Sequence, residues 1–229
     1  MRIVVGFPPG GGADALARAI AQPLAKELAG TVIVENRPGA GGLIATEQVA
    51  RATPDGYTLY IATPGSFTIW PTLRKLNYDP AKYFVFVSNL VTMPNLLVTT
   101  ANSPYKDVAG LLAAATAPGA NGSGGVGTIG QIAAEQLNEL ANVQLMHVPY
   151  KGTAPLITDV VGGVVPITFS DPSAKSLVDG GKLRLLAVTS AKRSRLFPNT
   201  PTMAESGVPA MTCPTGMAWW RLRARLRTS

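Results

Sequence analysis

Val4-Val5-Gly6-Phe7-Pro8-Pro9-Gly10-Gly11-Gly12-Ala13-Asp14 opens the chain, and the helical run Ala15 to Leu28 follows it directly. A short apolar strand, Ile3 to Val5, ends in a Pro/Gly turn and runs straight into a helix. The first turns of a helix carry free backbone N–H groups and the positive end of its dipole. Gly10, Gly11 and Gly12 have no side chains to block an approaching ligand. The stretch therefore predicts a cradle for an anion, built from backbone rather than from charged side chains.

Outward from it, strand and helix signals alternate. Thr31 to Glu35 reads as a buried strand, Leu43 to Ala52 as a helix and Tyr57 to Ala62 as a strand ending in Thr63-Pro64-Gly65-Ser66. Val85 to Val91 and Asn95 to Thr99 read as strands, and Val108 to Thr116 as a helix. A long Gly-rich loop, Pro118 to Gly127, leads to the helix Gln131 to Leu140. Gln144 to Val148, Val164 to Phe169 and Leu183 to Thr189 read as strands, with the helix Pro155 to Val161 among them. The alternation implies α/β architecture, in which ligands sit at the carboxyl ends of strands. Pro8 to Asp14, Thr63 to Ser66 and Ser123 to Gly130 are loops of that type, rich in Gly, Ser and Thr. Convergence of the three would line one cleft between two lobes.

Composition narrows the function classes. Only 14% of the 229 residues are charged, and the formal charge is +7. Arg221, Arg223, Arg225 and Arg227 crowd the last ten residues; without them the balance falls to +3, with lysines scattered singly. No basic stripe interleaved with aromatics remains, which argues against nucleic acid. The lone cysteine, Cys213, and lone histidine, His147, give no intrachain disulfide and no Cys/His metal site. No cofactor and no metal are expected. No apolar run approaches the ~20 residues that span a membrane.

Gly125-Val126-Gly127-Thr128-Ile129-Gly130 matches the dinucleotide G-x-G-x-x-G pattern, but that fingerprint needs a strand immediately upstream. Ala117 to Gly124 is Ala, Pro, Gly, Asn and Ser, so the expectation is a helix start that meets a carboxylate, against a plain tight turn. No Lys-Ser/Thr pair follows Gly10-Gly11-Gly12, which excludes a P-loop. Asp14 either caps the first helix or meets the ligand. Asp171, after Ile167-Thr168-Phe169, either meets a ligand ammonium or hydroxyl or orders the Pro172-Ser173 turn. His147 reads as structural.

Six stretches carry a family resemblance: Ile3 to Asp14, Val34 to Gly42, Pro54 to Leu59, His147 to Gly152, Ala187 to Ser190 and Pro201 to Gly207. Together, in order and in register over roughly residues 2 to 209, they resemble the substrate-binding proteins of tripartite tricarboxylate transporters, the Bug (TctC-like) receptors. The resemblance implies a type 2 periplasmic-binding-protein-like fold, with each lobe a mixed sheet flanked by helices. It implies lobe 1 as 1–98 plus 190–229 and lobe 2 as 99–189, joined by a hinge of crossing strands. It further implies a periplasmic, monomeric, non-enzymatic receptor with no catalytic residues. Such a receptor closes on a di- or tricarboxylate, acidic amino acid or aromatic acid and delivers it to integral membrane permease subunits. Carried over, the ligand-binding residues are Phe7, Pro9, Gly10, Gly11, Gly12, Ala13, Asp14, Ser66, Gly125, Gly127, Thr128, Ile129 and Asp171. Ile129 and Gly130 replace residues that are commonly hydroxylic in the family, leaving backbone N–H contacts there.

The ends depart from the resemblance. No leader precedes Met1, which fits either its removal or a gene read from a late start. Met211 to Ser229 looks unlike the family, and its codons, read one base earlier, permit a family-like Tyr-Asp-Val-Pro-Asn-Trp-Tyr-Gly segment. The expectation is that 211–229 is a frameshifted reading, that the first lobe is incomplete and that the chain is unstable. Two other functions compete with the receptor: an α/β enzyme acting on a nucleotide or acyl substrate, with His147 as its base, and a carboxylate-sensing receptor subunit.

Overall fold

The structure is a computed structural model that describes residues 1–115 and 119–223. In chain order the elements are β1 (Arg2–Val5), α1 (Gly12–Glu27), β2 (Ile33–Asn36), α2 (Leu43–Ala50), β3 (Thr58–Ala62), α3 (Trp70–Leu73), α4 (Pro80–Tyr83), β4 (Phe84–Pro94) and β5 (Leu96–Thr100). There follow α5 (Val108–Ala114), β6 (Gly119–Ser123), α6 (Ile129–Ala141), β7 (Leu145–Pro149), α7 (Thr153–Val161), β8 (Ile167–Ser170), α8 (Lys175–Asp179), β9 (Leu183–Val188) and β10 (Pro214–Leu222). Thr116, at the expected end of the 108–116 helix, Pro118, at the start of the expected loop, and Arg225 and Arg227 lie outside the described residues.

The chain divides into two compact units, Met1–Thr92 with the described residues from Gly216 onward, and Met93–Thr215. In the first, the sheet order is β2-β1-β3-β10-β4. β1 pairs in parallel with both β2 and β3, and β10 runs antiparallel to β3 with Ala218 opposite Ala62. Ile3, Val4 and Val5 are wholly buried, as a parallel strand covered on both faces requires. Ala13, Ala17 and Ala21 form the buried stripe of α1 at four-residue spacing.

In the second unit the order is β7-β6-β8-β5-β9. β6 is parallel to β7 and β8, whereas β5 is antiparallel to β8 and β9. β5 splits the unit's core by simple alternation: Leu97 packs with Leu137, Phe169, Met203 and Met211, while Leu96 and Val98 pack with Leu156 and Val160. Each unit is thus a mixed sheet flanked by helices, the expected fold class.

Several expectations need correction. The lobe boundaries move: β5 belongs to the second unit because it pairs with β8 and β9. Residues 190–215 belong there too, because Met203 N–H bonds Val188 O and Cys213 N–H bonds Thr189 O. β2 is an edge strand with Ile33 exposed rather than a buried one, since only β1 flanks it. The segment from Met211, set apart in the sequence as a frameshifted reading, is packed into the fold: Met211 and Cys213 are buried and β10 lies inside the first sheet. Half of the expected Pro118–Gly127 loop is strand β6, despite its Gly-Ala-Asn-Gly-Ser sequence.

Candidate functional site

In the first unit, β1 delivers the loop Gly6–Gly11 to the start of α1. Gly11 is the N-cap and offers no side chain, and Gly10 takes a left-handed φ of +90° that an L side chain resists. The N–H groups of Gly12, Ala13 and Asp14 have no hydrogen-bond partner among the described residues. Asp14 is not the N-cap of α1, which is Gly11. Its buried carboxylate accepts from Gly10 N (3.0 Å), Arg18 Nε (3.0 Å) and Asn36 Nδ2 (2.9 Å), and Asn36 Nδ2 also donates to Phe7 O. Burial opposes ionisation of Asp14, but these hydrogen bonds and the Arg18 charge outweigh it and hold the carboxyl below its ordinary range.

Ser66 is brought to the same place from beneath. Gly6 packs so closely on Gly42 that a Cβ would stand 2.7 Å from Gly42 Cα, and a Cβ on Gly42 would meet Ser66 Oγ at 3.1 Å and Phe7 Cε2 at 3.7 Å. Ser66 Oγ is fully buried and hydrogen-bonded to Tyr60 Oη (2.9 Å), which Thr46 Oγ1 also reaches (2.8 Å). Ser66 therefore braces the floor of the loop. Phe7, Pro9, Gly10 and Gly11 lie on the loop over it, and Gly12, Ala13 and Asp14 form the first turn of α1.

In the second unit, Gly125, Gly127, Thr128 and Ile129 make the β6–α6 connection. Gly125 (φ +137°) and Gly127 (φ +74°) shape it, and Gly127 N–H is taken by Gln131 Oε1 at 2.8 Å. Thr128 is the N-cap of α6, yet its hydroxyl donates to Gly125 O (2.7 Å) rather than capping. The N–H groups of Ile129, Gly130 and Gln131 consequently have no partner among the described residues. Asp171 orders the Pro172–Ala174 turn by accepting Ser173 N–H (2.8 Å), and its other oxygen receives Thr153 Oγ1 at 3.5 Å. A Cβ on Gly124 would lie 3.5 Å from Thr153 N, so these three strand ends adjoin.

Among the described helices of seven residues or more, only α5 has a side-chain cap, Asp107 on Gly110 N–H. α1, α2, α6 and α7 all start uncapped at the carboxyl ends of parallel strands. A glycine N-cap costs a helix only about a few tenths of a kcal/mol relative to a side-chain cap, and the N–H groups left open at the starts of α1 and α6 suit an anion as partner.

The reason given for setting aside G-x-G-x-x-G fails, because β6 does precede it. Tyr60, Thr46 and Gly42 were missed. The one available signal is Tyr60, an aromatic hydroxyl between Leu59 and Ile61 that must find partners once buried. His147 has a specific partner, its Nε2 lying 2.5 Å from Ser123 Oγ. Cys213 is buried and its thiol pushed up, which makes it unreactive. Groups of three or more metal-ligating side chains are absent among the described residues.

Comparison with known proteins follows the same lines. The model of the family described as tripartite tricarboxylate transporter family receptor matches residues 16–220, well into the segment 211–229 that the sequence reading set apart. The chain is 38% identical over 211 residues to the UPF0065 protein in the tcbD-tcbE intergenic region of Pseudomonas sp. strain P51, covering 90% of this chain and 63% of that protein. It therefore spans a little under two thirds of that relative's length. Rpa4515 of R. palustris with adipate superposes with a TM-score of 0.93 at 35% identity over 99% of this chain and 78% of that one. The periplasmic binding protein BugD superposes with a TM-score of 0.92 at 32% identity over 99% and 77%.

Proposed function

Because this chain belongs to the tripartite tricarboxylate transporter receptor family, we propose that it is an extracytoplasmic receptor for a small organic carboxylate, which it hands to membrane permease subunits. The family consists of solute receptors and not enzymes. The observation that carries the reading is the pair of uncapped helix starts, α1 at Gly12–Asp14 and α6 at Ile129–Gln131, each behind a loop of glycines. The adipate bound by the R. palustris relative supports a carboxylate as the ligand class. Neutral amides stabilise an anion without burying a lysine or arginine, whose desolvation costs several kcal/mol. Neutral donors of this kind also release a ligand readily, as delivery to a permease requires. The one acid at the start of α1, Asp14, is paired with Arg18, which offsets its repulsion of an anion.

The test is a thermal-shift panel of succinate, adipate and citrate on the wild type and on Gly11→Asp. At a hundredfold excess over Kd a ligand stabilises by about 2.7 kcal/mol, roughly 5–10 °C for a chain of this size. Gly11 has extended backbone (φ −84°, ψ 171°), which suits an aspartate N-cap. The variant should therefore melt no lower than the wild type yet lose the ligand shift. A variant that keeps the full shift removes α1 from the site.

A further inference from the structure

We propose that His147 is a positioning residue for the anion loop of the second unit, acting through the hydroxyl of Ser123 and gating that loop by its protonation. The inference rests on the receptor reading for its ligand arm alone. Asn121 and Ser123 project from the same face of β6, and His147, opposite Asn121 in register on β7, reaches back to Ser123. Ser123 is fully buried and sits at the root of the loop: its Oγ accepts Gly125 N–H at 3.2 Å and stands 3.0 Å from Gly125 O.

Ser123 has one proton and two acceptors within reach. With Nε2 unprotonated, the hydroxyl donates to His147 and leaves Gly125 O to the Thr128 hydroxyl and N–H. When a solvent proton occupies Nε2, the imidazolium donates to Ser123 Oγ and the hydroxyl must turn to Gly125 O. The turn adds a hydrogen bond at the residue that leads to Gly127, Thr128 and the open start of α6. It also places a positive charge behind a loop meant for anions.

The surroundings leave this titration to few groups. Burial lowers the readiness of His147 to protonate, and Glu135 opposes that. The elements packed on this face are β6 and α6; β6 and the loop 124–128 carry no charge, and α6 carries only Glu135 and Glu139. No second histidine exists in the chain, so an imidazole signal belongs to His147.

The first arm of the test needs no ligand. In the intact chain, NMR follows the His147 Cε1–H resonance and the Gly125 and Thr128 amides from pH 8 to 5. The Gly125 amide should titrate with the His147 midpoint in the wild type and be flat in His147→Gln. In Ser123→Ala the His147 midpoint should move while the Gly125 amide no longer follows it. A Gly125 amide indifferent to that midpoint overturns the proposal. The second arm measures adipate affinity by calorimetry over the same range. His147→Gln carries the pH dependence of adipate's own protonation, and relative to it the wild type should gain about fivefold in affinity from pH 8 to pH 5, the low end of ordinary site-to-site coupling. Equal pH dependence in both proteins also overturns it. Coupled amides with no carboxylate bound at any pH would uphold the Ser123 switch and sink the receptor reading instead.

Discussion

The Asp14 carboxylate is 4% exposed and receives three kinds of donor, from Arg18, Asn36 and the Gly10 backbone. It thereby ties the loop Gly6–Gly11 to the first turn of α1. Its folded-state pKa lies below the unfolded value of about 3.9. The sign follows: its stabilisation is complete above pH 4 and is lost as pH falls through the lower, folded value. Asp14→Ala should cost about 1.5–3 kcal/mol at neutral pH, the range for hydrogen bonds to a charged group. Its stability curve should also be flatter than the wild type's between pH 4 and 2, which urea titrations at each pH would show. A parallel acid limb would mean that another carboxylate dominates. Asn121 poses the opposite case. It is fully buried on β6, and neither Nδ2 nor Oδ1 is hydrogen-bonded among the described residues. An orphaned buried polar group costs about 1–3 kcal/mol, and valine suits a strand better than asparagine. Asn121→Val should therefore raise the urea midpoint with an unchanged slope. A lowered midpoint would show that the amide has a partner in solution.

At the level of elements, what could be read from sequence were the apolar runs. β1, β5 and β9 announce themselves by consecutive Val, Ile or Leu, and β3 and β8 by apolar residues at alternate positions, Leu59 and Ile61, Ile167 and Phe169. β6 could not be read, since Gly119-Ala120-Asn121-Gly122-Ser123 has no strand-forming residue. It is a strand because β7 and β8 supply its ladder and because α7 presses on it: a Cβ on Gly122 would stand 2.2 Å from Leu156 Cδ1 and 3.1 Å from Val165 Cγ1. Tertiary contacts chose its composition, and the judgement on G-x-G-x-x-G went astray with it. The glycine loops of the site were legible for the converse reason, that their conformation is local. The Thr46–Tyr60–Ser66 brace was not, since its hydrogen bonds join separate elements. Gly130 tests how closely α6 must sit on β8. A Cβ there would be 2.7 Å from the backbone oxygen of Phe169, which cannot swing aside. Alanine gains up to about 1 kcal/mol in helix propensity, whereas overpacking costs about 1–3. The clash should win, so Gly130→Ala should lower the melting temperature by several degrees and weaken carboxylate binding. A stabilised variant would show that α6 can lift off β8 without loss.

For the whole molecule, chain order and unit membership disagree in one place. The second unit is contiguous, Met93–Thr215, whereas the first is completed only by residues from Gly216 onward. The strand that completes it, β10, is interior: β3 and β4 are joined only through it. Met217, Trp219 and Leu222 are buried along it, and Trp220 stacks on Phe67 with centroids 4.3 Å apart. Burial of three such side chains is worth together about 5–9 kcal/mol, comparable with the ~5–15 kcal/mol of an entire domain. A chain ended after Thr215 should accordingly lose the first unit and keep the second. Limited proteolysis should then cut within residues 1–92 many times faster than in the full chain, while one cooperative melt remains for 93–215. The remaining transition should show no carboxylate shift, because the Gly12–Asp14 donors are lost with their unit. Survival of residues 1–92 against protease at the full-chain rate would mean that β3 and β4 close the sheet without β10. The tail from Gly216 would then be dispensable, despite its place in the middle of the sheet.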